Sequence, residues 1–138
     1  MSWLKTDDSF EDHSGDMSNQ PVSSAELAGI LSGLKGIAPS SEDGLARRVA
    51  AALLARGIDY ETEAWLNDTD RIDLIVDRVG IELKLKGPVS AVTRQLARYA
   101  QSTRLDSLVL VTTRAKHRSV PRMLCGKPID VIHVGGYL

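Results

Sequence analysis

The stretch Arg71-Ile72-Asp73-Leu74-Ile75-Val76-Asp77-Arg78-Val79-Gly80-Ile81-Glu82-Leu83-Lys84-Leu85 decides how this chain is read. Two apolar, β-branched runs, 71–77 and 79–85, flank Asp77-Arg78, and so short a link predicts a hairpin of antiparallel strands. Gly87-Pro88 closes the block. Polar side chains stand inside these runs, where a core strand is expected to be apolar. Asp73 separates Ile72 from Leu74, and Glu82 and Lys84 alternate with Ile81, Leu83 and Leu85. A period of two puts Glu82 and Lys84 on one face of their strand. A turn centred on Asp77-Arg78 makes Asp73 and Glu82 cross-strand neighbours, with Cβ atoms roughly 4.5–5.5 Å apart. Two carboxylates that close repel, and one takes up a proton unless a cation lies between them. Hard oxygen donors of this kind suit Mg2+ or Mn2+. Lys84 beside such an ion is placed to orient or deprotonate a water, or to stabilise charge on a phosphoryl group. Taken alone, the same spacing also fits a solvated strand face with a cross-strand salt bridge.

Working outward, Leu27, Ile30, Leu31 and Leu34 recur at helical spacing and predict a helix from Ser24 to Lys35, capped by Ser24 and ended by Gly36 and Pro39. A second helix starts at a cap on Ser40 or Ser41, with Glu42 and Asp43 at its positive end. Leu45, Val49, Ala52 and Leu53 form its apolar face until Gly57. Residues 58–66 alternate as a strand does. After the hairpin, a third helix runs from about Ser90 to Thr103, with Val92, Leu96 and Tyr99 on one face. Residues 107–113 are continuously apolar, as in a strand buried on both faces. A basic helical or looped stretch, 114–124, leads to a last strand at 128–134. The order α-α-β-β-β-α-β-α-β is that of an α/β layer fold whose fourth strand is reached by a helical crossover. Residues 1–23 are rich in Asp, Ser and Asn and carry five acids, so they are expected to be a disordered acidic tail preceding one domain at 24–138. Trp3, Leu4 and Phe10 are its exceptions, able to dock on the body or on a replication or recombination partner.

Charge adds a second signal. The 138 residues sum to −1, but residues 1–83 hold seven Lys/Arg against sixteen Asp/Glu, and residues 84–138 hold ten against two. A basic half of this kind points to an anionic partner. One cysteine, Cys125, excludes an intramolecular disulfide and a multi-cysteine zinc cluster. No run approaches the ~18 apolar residues of a spanning helix, and the opening residues lack the apolar core of a signal peptide. A cytoplasmic protein is expected.

With Arg71-Ile72-Asp73, Gly80-Ile81-Glu82-Leu83-Lys84 and Arg94-Gln95-Leu96-Ala97-Arg98-Tyr99, the sequence resembles the PD-(D/E)XK phosphodiesterase superfamily. More narrowly, it resembles the branch with a RecB-type Q-x3-Y helix, which includes Holliday-junction resolvase-like nucleases. The likeness spans about residues 41–134. It implies a restriction-endonuclease-like αβββαβ core, a mixed central sheet flanked by helices. It further implies Mg2+-dependent hydrolysis of DNA phosphodiesters that leaves 5′-phosphates, with Mn2+ able to substitute. Carried over residue by residue, Glu42, Asp73 and Glu82 would bind the metal, joined by the Leu83 main-chain carbonyl. Lys84 would assist the attacking water, and Gln95 and Tyr99 would position the phosphate or the lysine. Two departures stand out. Ile72 replaces the proline of the family's name. Some relatives place the helix glutamate at a position that falls here on Ala46, and Glu26 or Glu63 could stand in for Glu42.

Lys86, Arg94 and Arg98, with Arg114, Lys116, His117, Arg118 and Arg122, are the expected DNA-backbone contacts. His133 and Cys125 read as structural, and Arg47 and Arg48 as part of a groove or of a solvated face. The expectation is a DNA endonuclease of recombination, repair or phage DNA processing that recognises DNA structure rather than sequence, acting on branched, nicked or duplex DNA. A homodimer is needed wherever two strands are cut together. The opening Met1-Ser2-Trp3-Leu4-Lys5-Thr6-Asp7-Asp8-Ser9-Phe10 also resembles the start of some phage replication proteins, which suggests a phage origin. The alternatives are a catalytically inactive nuclease-fold module that binds nucleic acid, and an interaction protein whose apparent motif is a salt-bridged hairpin.

Overall fold

In the computed structural model, residues 20–36 and 39–135 are described. Of the tail expected over residues 1–23, residues 1–19 lie outside them. The end of that segment belongs to the domain. Val22 packs against the core, its amide donates to Asp77 Oδ2 at 2.7 Å, and the Ser23 hydroxyl caps the first helix by accepting from Glu26 N. The domain therefore begins ahead of Ser24, and Ser23 is the cap.

Helix α1 (Ser24–Leu31) tightens into a 3-10 turn over Ser32–Leu34. Helix α2 (Glu42–Ala55) starts at Ser41, whose hydroxyl accepts from Gly44 N at 2.9 Å. It ends with Gly57 at φ 68 and Ile58 N donating back to Leu53 O, a Schellman-type stop. Ile58 is thus spent on the helix end, and strand β1 is Glu61–Trp65 rather than 58–66. The hairpin follows as β2 (Arg71–Val76) and β3 (Val79–Lys84), with Asp77 in the left-handed region at φ 52. Helix α3 spans Val89–Ala100 and β4 spans Ser107–Thr112. A 3-10 turn, Ala115–Ser119, leads to β5 (Met123–Leu124) and β6 (Lys127–His133). Residue type does not announce the two-residue β5. It pairs with β6 across Cys125 and Gly126, both at positive φ as a tight hairpin requires, without the usual Asn-Gly signal.

One mixed six-stranded sheet results, in the order β1-β2-β3-β4-β6-β5. The pairs β1–β2, β2–β3 and β5–β6 are antiparallel, while β3–β4 and β4–β6 are parallel. Helices α1 and α2 cover one face through Leu27, Leu31, Leu45, Val49 and Leu53, against Leu74, Ile81, Leu83, Val109 and Val111. Helix α3 covers the other through Val92, Leu96 and Tyr99, against Ile72, Ile75, Leu108 and Leu110. Both faces are buried, which explains why β4 reads as an unbroken apolar run.

Strand β2 is irregular in the middle. Leu74, Ile75 and Val76 pair with Ile81, Gly80 and Val79, and the ladder stops there. Ile72 and Leu74 are two apart yet pack on opposite faces of the sheet, so β2 loses its alternation at Asp73. Opposite it, Glu63 of β1 has φ 49 and is passed over in the β1–β2 pairing. Gly80 accommodates the displaced Ile72. A Cβ there would lie 2.5 Å from Ile72 Cδ1 and 2.9 Å from Leu108 Cδ2. Gly80→Ala is expected to lower stability by about 1–3 kcal/mol through overpacking, read as a fall in Tm.

Candidate active site

The break at Asp73 gathers polar groups at the end of the sheet where β3 and β4 finish. In place of a continued ladder, Leu83 N donates to Asp73 Oδ2 at 2.8 Å, and Asp73 N donates to Glu82 Oε1 at 3.3 Å. Each carboxylate thus fills a backbone site that the neighbouring strand would otherwise have satisfied. Lys84 Nζ lies 3.4 Å from Glu82 Oε2, with side chains 20% and 5% exposed. Across the strand end, Glu42 at the start of α2 accepts from Leu85 N through Oε2 at 3.4 Å. The structure therefore brings Asp73, Glu82, Lys84 and Glu42 to one end of the sheet. Glu26 lies exposed on α1, Glu63 pairs with Arg71 at 3.4 Å, and Ala46 packs on the core.

Electrostatics follow from that crowding. Burial raises the Asp73 carboxyl above its ordinary value, against the Leu83 amide, with the Glu42 charge adding to the rise. Glu82 is pushed up to about 8, first by burial and then by the Asp73 charge, with Lys84 and the Asp73 amide pulling the other way. Tyr99 is raised above the usual phenol range by burial and by the charges of Glu82 and Asp73. It stays protonated, accepts from Gln95 Nε2 at 2.8 Å and donates to Arg71 O at 3.2 Å. The Gln95–Tyr99 pair therefore fixes α3 over the start of β2.

Among the described residues, no three His, Cys, Asp or Glu side chains form a ready metal cluster. The donor chemistry nevertheless fits a hard divalent cation. Two hydrogen-bonded carboxylates, each pushed toward its neutral form, are relieved by a positive charge between them. Asp73 and Glu82 are the residues of this set that could hold it.

Beside the carboxylates opens a cavity of about 320 Å³, lined by Lys84, Lys86, Arg94, Gln95 and Arg98 along α3. Arg98 is steadied by Asp70, with Nε 3.3 Å from Oδ1. The remaining cations do not form one surface. Arg114 reaches back to this end of the sheet, its Nε donating to Leu85 O at 2.8 Å, and Lys116 is exposed. Arg118 donates to His133 Nδ1 at 2.9 Å, and Arg122 turns onto Val120 O.

His117 corrects the expectation of a DNA contact. It is fully buried, with Nδ1 2.6 Å from Thr112 Oγ1 and Nε2 2.8 Å from Gly87 O, so it cannot touch a phosphate at the surface. The Gly87 carbonyl only accepts, so Nε2 carries the proton and Thr112 donates to Nδ1. His117 ties the β3–α3 loop, which carries Lys86, to the end of β4. His117→Leu takes the ring donor from Gly87 O and the acceptor from the Thr112 hydroxyl proton, leaving Thr112 Oγ1 only the Arg114 amide it accepts from, and is expected to cost about 1–3 kcal/mol, measured by denaturant unfolding. Sequence reasoning missed this tie because His117 stands among exposed cations. It also missed the Asp70–Arg98 pair, whose only hint was Asn67-Asp68-Thr69-Asp70, an Asx turn built on Asn67 Oδ1.

Comparison with family models, curated proteins and solved structures yields no match to this chain. No helix among the described residues is long and apolar enough to cross a membrane.

Proposed function

We propose that the chain is a divalent-metal-dependent nuclease that hydrolyses DNA phosphodiester bonds on a restriction-endonuclease-like αβββαβ core of PD-(D/E)XK type. The observation that carries this reading is the splayed end of β2 and β3, where Asp73, Glu82 and Lys84 converge beside a basic groove. The run α2-β1-β2-β3-α3-β4 supplies the element order. Asp73 and Glu82 would hold the ion, with Glu42 and the Leu83 carbonyl as further oxygen donors. Bound Mg2+, or Mn2+ in its place, supplies Lewis acidity toward the phosphoryl oxygens and makes water acidic enough to attack near neutral pH.

The chain's own groups do the rest. Lys84, half-buried on the groove wall, orients the attacking water and stabilises the negative charge that grows on the phosphoryl oxygens. Lys86, Arg94 and Arg98 neutralise the flanking phosphates, and Arg114 and Lys116 extend that surface. Gln95 and Tyr99 hold α3, and with it Arg94 and Arg98, against the strand that carries Asp73. The water gives up a proton to solvent as its oxygen bonds to phosphorus, the bond to the 3′-oxygen breaks, and the 3′-oxygen takes a proton from solvent, which leaves a 5′-phosphate. A single site cuts one strand, which suits processing of DNA in recombination, repair or phage replication.

The test is incubation of the full chain with single-stranded, duplex, nicked, flap and four-way-junction DNA in Mg2+, Mn2+ or chelator. Cleavage of at least one substrate, lost in chelator, is expected. Binding without cleavage of any of them in either metal would replace this reading with that of an inactive nucleic-acid-binding module.

A further inference from the structure

A second cavity, of about 380 Å³, lies beyond Arg98, with Leu66, Asn67, Asp70, Gln101 and Thr103 in its wall. Arg98 lines both this cavity and the basic groove beside Lys84. It is held there by Asp70, whose side chain is 12% exposed and whose other oxygen accepts from Asn67 Nδ2. Arg94, Arg98 and Gln101 follow one another at i, i+4 and i+7, so they share one side of α3 and its C-terminal cap. Arg94 and Arg98 are about 6 Å apart along the axis, a step on the order of one nucleotide of extended strand. The two cavities differ in chemistry. The first is cationic and suits phosphate. The second has an apolar wall at Leu66, which is half-buried against the α3-side core, and amide and hydroxyl groups at Gln101 and Thr103.

We infer that the second cavity is a subsite for an unpaired nucleobase, so that the substrate is DNA with a single-stranded segment next to the cut. This rests on the nuclease reading and narrows it. A base stacked in an intact duplex cannot enter a concave site without leaving the helix, which costs a few kcal/mol, whereas a single-stranded or frayed base enters freely. Arg98 then lies at the phosphate between the two cavities, Leu66 packs on the face of the base, and Gln101 and Thr103 bond its edge. Both amide and hydroxyl donate and accept, so the subsite tolerates different bases.

The experiment measures binding of the full chain, in chelator so that no strand is cut, to labelled oligodeoxythymidylate and to a duplex of the same length. Cleavage of each in Mg2+ is followed separately. The unmodified chain is expected to bind the single strand more tightly than the duplex. Thr103→Met, which fills the cavity from an exposed loop, and Gln101→Ala are each expected to weaken single-strand binding about fivefold, the equivalent of one lost hydrogen bond, and to leave duplex binding unchanged. Equal or tighter duplex binding, or single-strand binding indifferent to both substitutions, overturns the inference. If the duplex is then still cut in Mg2+, the nuclease reading survives it; if neither DNA is bound or cut, the inference falls, and the nuclease reading falls with it only when nicked, flap and four-way-junction DNA also go uncut.

Discussion

In chelator, the unmodified protein is expected to become less stable as pH rises from about 4.5 to about 8, and Glu82→Gln is expected to remove most of that slope. The sign follows from the direction in which Glu82 is displaced. In the folded chain its carboxyl is pushed up to about 8 by burial and by Asp73, whereas an ordinary glutamate titrates at 4.5. Between those values the folded protein holds a proton that the unfolded chain has released. Stability is therefore fully present below about 4.5 and is lost as pH rises through about 8. Asp73, also raised, acts in the same sense. Each tenfold gain in proton affinity is worth roughly 1.4 kcal/mol, which puts the loss on the order of 5 kcal/mol. Glutamine keeps an oxygen for the Asp73 amide and needs no proton, so at pH 8 the variant is expected to unfold at the higher temperature. Mg2+ should reverse the trend, because ligand carboxylates bind it in their ionised form, and its stabilisation should grow with pH. Thermal unfolding at several pH values, with and without Mg2+, checks all three; parallel pH profiles for the two proteins would show that the Glu82 site carries no such proton.

Replacing Lys84 gives the second large effect. Lys84→Met keeps the stem packed beside Glu82 and deletes the ammonium 3.4 Å from its carboxylate. On the proposed reading, that ammonium is what offsets the negative charge growing on the phosphoryl group beside Glu82. Removing one such preorganised donor typically costs about 10²–10³-fold in rate. The loss is expected in kcat, with KM little changed, because Lys86, Arg94 and Arg98, the proposed phosphate contacts, are retained. Lys84→Arg should not restore the rate, since a planar fork does not place its charge where a compact ammonium does. Single-turnover cleavage at saturating DNA separates these effects. A rate within a few-fold of the unmodified chain would mean that Lys84 only pairs with Glu82.

The hairpin register was legible because a two-residue link and a period of two leave one alignment, and Leu74–Ile81 through Val76–Val79 obey it. The crossover from β3 through α3 to a parallel β4 was legible from helical spacing followed by a run buried on both faces. The break in β2 was not. Simple alternation makes Asp73 a cross-strand neighbour of Glu82, whereas in the fold its carboxylate caps the Leu83 amide and Ile72 swings over Gly80. That rearrangement comes from backbone groups left without ladder partners, which residue type alone does not reveal. His117 shows the same limit in reverse. Its basic neighbours suggest a phosphate-facing run, yet Thr112 and Gly87 together satisfy both ring nitrogens in the interior. Within the site, residue types were therefore readable where periodicity governs, and hydrogen-bond partners were not.

The most direct measurement compares Mg2+-dependent DNA cleavage by the unmodified chain, Asp73→Ala and Glu82→Ala, prepared in parallel and shown to be folded. Cleavage by the unmodified chain is expected, with none in chelator and a fall of at least about 10³-fold in each variant, because each would lose a ligand of the ion proposed to activate water. Cleavage by either variant at the unmodified rate would contradict that proposal.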